Sequence, residues 1–453
     1  MNEKKYLKWH HKIGYGAGDI AGNCVYALLT AFMMIYLTDT IGMSMGVVST
    51  LIALSKVFDG VTDFFFGSLI DKTHTKMGKA RPWMLWPYIG CAITLVACFP
   101  IPTSWGNTAQ YIFFFLSYTL LNAVFFTANN IAYASLTALI TKNTSERVQI
   151  GSFRFIFAFA TKIVIEAVTI YAVGWLGGGV VGWRTIAIIY AIIGVITNTY
   201  SVFSVKELPE DEEETETKTK PENNLTFLKS FKLLLQNKYY VIICCSYILT
   251  QLYGSVIGMG TYYTKYILGD ETIFSTMSLA INVTMVLSLT VLPLVIKKMG
   301  GMYKLNICGY VIAALGRVGV MIGGYMGSLP MMLAFTALST LGIAPLQGDM
   351  NALIACCSEY TTMKTGYRLE GMMYSCSSLG IKLGGALGTA ICGWMLAAAG
   401  YVENAAVQTV ATVNMLNFMY LWMPIFINAA VGFLLVFLRV EKANKELIAE
   451  KSM

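Results

Sequence analysis

Charge is scarce in this chain. Asp, Glu, Lys and Arg together make up 13% of its 453 residues, about half of the roughly one quarter that is usual in soluble proteins. Apolar residues make up 56%, and the mean hydropathy is +0.62. Because apolar surface of this extent must be kept away from water, the composition excludes a string of soluble domains. It predicts a protein embedded in lipid, in the cell (inner) membrane.

Histidine is also scarce, and cysteine follows no pattern. The three histidines lie near the start of the chain or in a loop, without the spacing of metal ligands. The ten cysteines show no C-x-x-C motif, and several, such as Cys244 and Cys245, lie in apolar runs, where cysteine acts as a small apolar residue. The sequence also lacks a nucleophile–base set and a phosphate-binding loop. It therefore argues against a metal centre, a disulfide framework and a membrane enzyme, and we expect no cofactor.

Twelve apolar segments are long enough to cross a bilayer, which takes roughly 20 residues. Six precede a central polar stretch, at about 18–38, 44–70, 83–101, 109–139, 148–173 and 182–205. Six follow it, at about 239–265, 272–296, 303–325, 330–356, 370–399 and 411–438. These limits predict an N-terminal six-helix bundle (1–205), a cytoplasmic linker with an amphipathic helix (206–238), a C-terminal six-helix bundle (239–440) and a cytoplasmic tail (441–453).

The positions of Lys and Arg predict the orientation in the membrane. Of the 32 such residues, 25 lie in the N-terminus, in alternate loops or in the C-terminal tail. The loops on the other side carry only Arg184 and Lys265. Because basic loops stay in the cytoplasm, both termini are predicted to be cytoplasmic. We expect no cleavable signal peptide, since no small-residue cleavage site follows the basic start.

A weak internal repeat relates the two halves. The loop after the second span contains Lys76-Met-Gly-Lys79, and the loop after the eighth contains Lys297-Lys-Met-Gly300. Repeated six-helix halves are the build of major-facilitator transporters, whose binding site lies at the midplane between the halves. The predicted fold class is therefore an all-α membrane protein with 12 transmembrane helices in two pseudo-symmetric six-helix bundles.

Ionisable side chains within the spans are the residues that need explaining. Each is costly in a bilayer and marks either a functional site or an ion pair between helices. They are Asp19, Lys56, Asp59, Asp63, Arg154, Lys162, Glu166, Arg317, Asp349 and Lys382. We interpret Lys162 and Glu166, four residues apart, as a structural pair. The roles of Arg317 and Asp349 stay open.

The second span predicts a site for a coupling ion. Lys56, Asp59 and Asp63 fall within about 60° of one another on one helical face. Two carboxylates in a low-dielectric interior cannot both stay ionised without compensation, so a monovalent cation, a proton or Lys56 must neutralise them. Thr62 and Thr127 add hydroxyl oxygens, which together with carboxylates suit a hard cation such as Na+. The alternative is a buried Lys–Asp pair that only holds spans together.

A second set of residues fits sugar binding, which uses carboxylate, amide and guanidinium groups beside an aromatic ring. Asp19, Asn130 and Arg154 supply the polar groups if spans 1, 4 and 5 face a central cavity. Tyr26 and Tyr133 are candidate aromatic platforms. Many rings of so aromatic a chain face lipid or the membrane interface instead.

Several motifs carry a resemblance to a known family. In the first spans they are Gly14-Tyr-Gly-Ala-Gly-Asp19, Tyr36-Leu-Thr-Asp39, Lys56-Val-Phe-Asp59-Gly-Val-Thr-Asp63 and Gly78-Lys79-Ala-Arg81-Pro82-Trp83. Further on they are Ser135-Leu136, Arg154 and Lys364-Thr-Gly-Tyr-Arg368-Leu-Glu370-Gly371. With these motifs the chain resembles the glycoside–pentoside–hexuronide:cation symporter family (melibiose permease-like) over nearly its whole length.

The resemblance implies roles for the polar residues of the cation site and of a charge network. Asp59 and Asp63 fall where the family holds its coupling cation. Thr127 falls where a hydroxyl ligand is found, and Thr62 replaces a usual asparagine. Lys382 matches an intramembrane lysine of span 11 that belongs, with Lys56 here, to a charge network.

The sugar site departs from the family pattern. Asp19 and Arg154 match sugar-binding positions, but Asn130 replaces a carboxylate, Ala134 replaces a tryptophan and Cys356 stands where many members have aspartate. Losing a carboxylate while keeping basic residues favours a substrate that brings its own carboxylate. We therefore hold a glucuronide or other hexuronide to be at least as well supported as a neutral galactoside.

The leading function is cation-coupled sugar symport by alternating access. An uncoupled facilitator or exchanger of the same fold is the alternative, and the retained pair Asp59 and Asp63 argues against it. A transporter-like sensor is disfavoured, because the tail after Arg439 is too short for a signalling domain. The expected partners are a glycoside or hexuronide, Na+ or H+, and the lipid bilayer. We expect no nucleic acid and a functional monomer.

Overall fold

The structure, a computed structural model, describes residues 5–102, 104–141, 143–208, 227–299, 301–367, 369–403 and 405–451. Within these ranges the chain is helical, apart from turns and one isolated β-bridge between Thr75 and Gly78. The first helices are α1 (Trp9–Gly16), α2 (Gly18–Ile35), α3 (Met45–Asp71), α4 (Arg81–Ala97), α5 (Asn107–Thr119), α6 (Thr127–Leu139), α7 (Thr144–Trp175) and α8 (Gly179–Ser204). The later helices are α9 (Phe227–Gln236), α10 (Lys238–Gly258), α11 (Gly260–Tyr266), α12 (Ile273–Met299), α13 (Met302–Tyr325), α14 (Leu329–Thr365), α15 (Glu370–Ala398), α16 (Val410–Asn417), α17 (Met423–Val436) and α18 (Val440–Lys451).

The membrane character of the chain is confirmed. In the described part of the chain, 11 helices are long and apolar enough to cross a bilayer. Helix α4, which overlaps the predicted third span, has 17 residues, at the short end of the range for spanning helices. Twelve spans and cytoplasmic termini stay predictions. Large apolar side chains on the outside of the helices fit a lipid environment: Ile93, Leu116 and Ile192 are each more than half exposed.

The chain forms two compact units. The first consists of residues 1–209, 261–279 and 389–413, and the second of residues 210–260, 280–388 and 414–453. The first unit therefore contains the ends of predicted spans 7 and 11 and the starts of predicted spans 8 and 12. The domain limits drawn from the sequence remain predictions.

A buried aromatic cluster holds the first unit together. The ring of Tyr36 lies 4.9 Å from that of Phe99 and 5.7 Å from that of Trp183, between ring centroids. The phenol of Tyr36 donates a hydrogen bond to the backbone carbonyl of Phe99. Tyr36 follows α2, Phe99 follows α4 and Trp183 lies on α8, so the cluster fixes the ends of three helices. It thereby positions the polar residues along these helices.

Each unit also contains a glutamate that caps a helix N-terminus. In the first unit, Glu207 accepts hydrogen bonds from the backbone N–H groups of Lys79, Ala80 and Arg81, at 2.7, 2.9 and 3.0 Å. In the second unit, the backbone N–H groups of residues 302 and 303 donate to Glu441, at 3.2 and 3.0 Å. The free N–H groups at a helix start favour a carboxylate. The two caps follow predicted spans 6 and 12 and sit at the starts of spans 3 and 9, so they repeat between the halves.

Glycines let α13 and α14 pack closely in the second unit. A side chain at Gly309 would collide with the backbone of Gly342, and one at Gly316 would collide with Ser339. Small residues at such contacts let helix backbones approach in a membrane. The seam between these two helices therefore leaves little space for water.

Candidate functional site

A π-helical turn in the fourth predicted span leads into the first candidate site. The turn covers Leu120–Phe126, and Thr127 begins α6 directly after it. Such turns displace backbone carbonyls from the regular helical pattern and are frequent at functional sites. The Ala123 carbonyl accepts a hydrogen bond from the Thr62 hydroxyl at 2.5 Å, and the Asn122 carbonyl lies 2.8 Å from the Thr127 hydroxyl. The turn thus places carbonyl oxygens against the hydroxyls of Thr62 and Thr127, which also contact Asp59.

Asp59 lies against two of the predicted cation ligands. The hydroxyl of Thr127, which is buried, donates a hydrogen bond to the carboxylate of Asp59. The hydroxyl of Thr62 lies 3.1 Å from the backbone carbonyl of Asp59. Carboxylate, hydroxyl and carbonyl oxygens are the ligands that hard cations prefer. The structure therefore brings three of the four predicted cation residues together, on α3 and α6.

Asp63 and Lys56 lie on α3 about one turn from Asp59, on either side of it. Asp63 is partly buried. The ammonium group of Lys56 donates a hydrogen bond to the hydroxyl of Thr389 at 2.8 Å. Lys56 thus ties α3 to the segment 389–413 of the same unit.

Asp19 and Arg154 form the centre of the second candidate site. Arg154 Nε lies 2.9 Å from Asp19 Oδ2, and Nη2 lies 3.4 Å from Oδ1. Such charge-assisted pairs between a guanidinium and a carboxylate are strong and directional. The side chains of Asp19 and Arg154 are 15% and 24% exposed. Both groups therefore retain accessible surface, which a wholly buried ion pair would lack.

Tyr133 contacts both members of this ion pair. Its phenol oxygen lies 2.9 Å from Asp19 Oδ2 and 2.7 Å from the Tyr15 carbonyl. The guanidinium carbon of Arg154 lies 4.0 Å from the centroid of its ring, a distance at which cation–π attraction operates. Tyr133 is 3% exposed, and Arg154 covers its ring. We therefore interpret Tyr133 as a residue that orients Asp19 and Arg154.

The other two predicted sugar residues are more accessible. Asn130 is exposed and lies one turn before Tyr133 on α6. Tyr26 is 52% exposed, and its ring stacks on that of Phe126, with 6.4 Å between centroids. Tyr26 is thus the accessible ring of the two aromatic candidates.

The remaining charged residues of the spans lie elsewhere. Lys162 and Glu166 form the expected pair on α7, with 3.8 Å between the charged atoms. Lys382 is partly buried on α15, in the second unit. The buried Arg317 donates from Nε to the phenol oxygen of Tyr253 at 2.9 Å.

One cluster of polar residues received no role from the sequence. The buried carboxylate of Asp39 accepts hydrogen bonds from Lys265, from Tyr266 at 2.6 Å and from Tyr401. Burial raises the pKa of Tyr401, which keeps its phenol a donor. The cluster fastens the end of α2 to α11 and to the loop after α15, all within the first unit. Two signals pointed to it: Asp39 ends one of the family motifs, and Lys265 is a rare basic residue on its side of the membrane.

The chain is similar in sequence to known transporters. Residues 14–442 match the family described as MFS/sugar transport protein. The chain is 27% identical over 457 residues to the isoprimeverose transporter of Lactiplantibacillus pentosus, a match that covers 99% of this chain and 92% of that protein. It is 28% identical over 428 residues to the glucuronide carrier protein homolog of Escherichia coli (strain K12), with 90% and 87% covered.

The fold is similar to that of solved transporters. The crystal structure of a D-xylose-proton symporter superposes with a TM-score of 0.70 over 95% of this chain and 97% of that chain, at 14% sequence identity. At this identity the likeness concerns the fold alone. Together with the family match, it confirms the predicted major-facilitator fold.

Proposed function

We propose that this chain, which belongs to the MFS/sugar transport protein family, imports a glycoside or hexuronide together with a monovalent cation. The chain is a multi-pass membrane protein and a sugar transporter, not an enzyme. This confirms the function class and the family predicted from the sequence. The identity of the cation, Na+ or H+, the identity of the sugar and a monomeric state are parts of the proposal.

The observation that carries the proposal is the arrangement along α6. Thr127 contacts Asp59, Tyr133 contacts Asp19, and Asn130 lies between them on the same helix. With a rise of 1.5 Å per residue, the two contacts are about 9 Å apart along the helix. A shift of α6 that accompanies cation binding at Asp59 would therefore reach the group that binds the sugar.

The charge of the carboxylates supplies the thermodynamic coupling. Without a cation, Asp59 and Asp63 place two negative charges in a region of low dielectric. A bound Na+ or H+ removes part of that charge, with hydroxyl oxygens from Thr62 and Thr127 completing the ligand set. A cation that binds one conformation better than another shifts the equilibrium between them. If it also raises sugar affinity, the sugar raises cation affinity by the same factor.

The second site favours a substrate with its own carboxylate. Arg154 keeps accessible surface beside its ion pair with Asp19. Asn130 supplies an uncharged amide, so an anionic sugar meets one carboxylate in this site, where a second one would add to the repulsion. The named relatives span both substrate classes, since one is an isoprimeverose transporter and the other a glucuronide carrier homolog. We propose a hexuronide as the preferred class, bound by Arg154 and Asn130 with Tyr26 against the sugar ring.

Competition between matched sugars tests the substrate class. A glucuronide and a glucoside with the same aglycone differ only in the carboxylate at C6, and each is added to cells that take up a labelled glycoside. We expect the glucuronide to compete better, and we expect Asn130→Asp to weaken it at least tenfold while sparing the glucoside. Preference of the wild-type protein for the glucoside would contradict the hexuronide assignment and leave the coupling proposal standing.

An uncoupled facilitator is the alternative function. It would need neither Asp59 nor the buried hydroxyl of Thr127. Sugar uptake that stays unchanged when sodium and pH are varied would favour it.

A further inference from the structure

Asp349 is a buried carboxyl group whose role the transport proposal does not explain. It lies on α14 in the second unit, with 3% exposure. Its Oδ2 accepts a hydrogen bond from Asn306 Nδ2 at 2.8 Å. Among the residues that the structure describes, Asp349 forms no ion pair with Lys, Arg or His. A carboxylate left in this state inside a membrane is costly, since burial of a charge needs a compensating partner.

The carboxyl of Asp349 and the amide of Asn306 form one of the two hydrogen bonds that such a pair can make. A carboxyl and a primary amide are both planar and can join through two parallel hydrogen bonds. One of the two is present. The atoms that would form the other, Asp349 Oδ1 and Asn306 Oδ1, are both buried and have no hydrogen-bond partner. Both are acceptors when Asp349 is ionised, so no bond forms between them without an added hydrogen.

A proton on Asp349 Oδ1 supplies that hydrogen. The O–H then donates to Asn306 Oδ1 while Asn306 Nδ2 continues to donate to Asp349 Oδ2, which closes a ring of two hydrogen bonds. This one change removes the buried charge and satisfies both unpartnered oxygens. Buried polar atoms are nearly always satisfied in native proteins, so the neutral carboxyl accounts for the arrangement better than the carboxylate.

In the described part of the chain, no Lys, Arg or His lies within ion-pair distance of Asp349. Tyr310, one turn after Asn306 on α13, is a neutral phenol with an unpartnered hydroxyl. Glu441 on α18 is a second carboxylate and interacts with Asp349 by like-charge repulsion. Cys356 lies two turns further along α14 and is a neutral thiol. Arg317 lies eleven residues from Asn306 on α13, about 16 Å along the helix, and is bound to Tyr253.

We propose that Asp349 is a proton-binding site in the second unit, separate from Asp59 and Asp63, and that Asn306 holds its neutral carboxyl through two hydrogen bonds. The close approach of α13 and α14 at Gly309 and Gly316 leaves little space for water between the two helices. Release of this proton to water leaves an uncompensated carboxylate between the two helices. The protonation state of Asp349 therefore acts on the packing of α13 against α14, whatever cation binds in the first unit.

Infrared spectroscopy of the purified, lipid-reconstituted protein tests this site without a substrate. The carbonyl stretch of a protonated carboxyl is separate from the bands of carboxylates and amides. The difference between the spectra of the wild-type protein and Asp349→Asn isolates this carboxyl from any other protonated one. We expect that difference to contain such a band at neutral pH, and we expect none in the difference for Asp270→Asn, which changes an exposed aspartate. An unchanged band in Asp349→Asn, or no such band in the wild-type protein, would overturn the proposal.

A second variant keeps the test decisive if Asp349→Asn does not fold. In Asn306→Leu the carboxyl stays protonated but loses both hydrogen bonds to the amide. We therefore expect its carbonyl band to shift to higher frequency, with no loss of intensity. A band at the wild-type frequency in Asn306→Leu would show that Asn306 does not hold the proton, and would also overturn the proposal.

Discussion

Thr127 and Tyr133 lie six residues apart on one helix, and their hydroxyl groups contact two different carboxylates, Asp59 and Asp19. The first carboxylate belongs to the proposed cation site and the second to the proposed sugar site. A helix that contacts both is a direct mechanical link between them.

Removing either carboxylate of the cation site should uncouple transport. In Asp59→Cys or Asp63→Cys the cation loses its charged ligand, while the sugar contacts at Asp19 and Arg154 remain. We expect accumulation against a gradient to fall to the equilibrium level, whereas exchange of labelled for unlabelled sugar continues. Both are measured in membrane vesicles with an imposed sodium or proton gradient. Unchanged accumulation in both variants would refute the assignment.

The hydroxyl of Thr127 should tune cation affinity. In the proposed site the hydroxyl oxygen of Thr127 is a ligand of the cation, so its loss in Thr127→Ala should raise the Na+ concentration for half-maximal uptake on the order of 10-fold. If the coupling ion is H+, loss of the hydrogen bond that Thr127 donates to Asp59 should instead lower the required concentration, because a donor stabilises the charged carboxylate. Thr127→Ser keeps the hydroxyl and is the matched control, with an expected change of less than about threefold. Equal effects of the two substitutions would mean that packing of the methyl group, and not the hydroxyl, matters.

The hydroxyl of Tyr133 should affect sugar binding and its dependence on the cation. Tyr133→Phe keeps the ring beneath Arg154 but removes the hydroxyl that lies within hydrogen-bond distance of Asp19 and of the Tyr15 carbonyl. We therefore expect sugar affinity to fall by about tenfold and the cation to enhance sugar binding less than it does in the wild-type protein. Tyr36→Phe is the control, because it removes a buried hydrogen bond to the Phe99 carbonyl at the far end of α2, about 25 Å along the helix from Asp19. Both are measured by sugar binding to the purified protein. A similar loss in Tyr36→Phe would assign the effect to general destabilisation.

Glu146 should give the first unit a pH-dependent stability. Burial alone would raise the pKa of Glu146, but hydrogen bonds from the backbone of Tyr6 and Leu7 and from Thr141, together with Lys12, outweigh it and lower the pKa. The contribution to stability is therefore complete above the ordinary pKa of a glutamate and is lost as the pH falls through the lowered pKa.

Thermal unfolding of Glu146→Gln checks this sign. We expect the variant to be less stable than the wild-type protein by about 1–3 kcal/mol at neutral pH, and the difference to vanish in acid. Glu450→Gln, which changes an exposed glutamate, should show no difference at either pH. A difference for Glu146→Gln that persists or grows in acid would contradict the prediction.

The sequence identified candidate site residues among the charged residue types, which are rare within membrane spans. Asp59 and Arg154 stood out because charge within a span demands an explanation, and the family motifs gave them roles. Their partners could not be assigned in the same way. Tyr133 is one of 26 tyrosines, and only the fold shows that its hydroxyl meets Asp19 and not lipid.

Contacts between segments that are distant in the sequence could not be predicted from it either. The bond from Lys56 to Thr389 joins residues 333 positions apart, and no spacing rule relates them. The π-helical turn before Thr127 was equally hidden, since neither glycine nor proline marks it in the sequence. The cluster around Asp39 combines both difficulties, because its tyrosines are common residues that come from a distant helix and a distant loop.

Substrate-dependent cation flux tests the central claim most directly. The protein is reconstituted into proteoliposomes, and sodium and proton entry are recorded when a sugar is added from a panel of matched glucosides and glucuronides. We predict that one sugar drives the entry of one of the two cations in the wild-type protein and not in Asp59→Cys. Sugar entry without the entry of either cation, or equal cation flux in Asp59→Cys, would contradict the account.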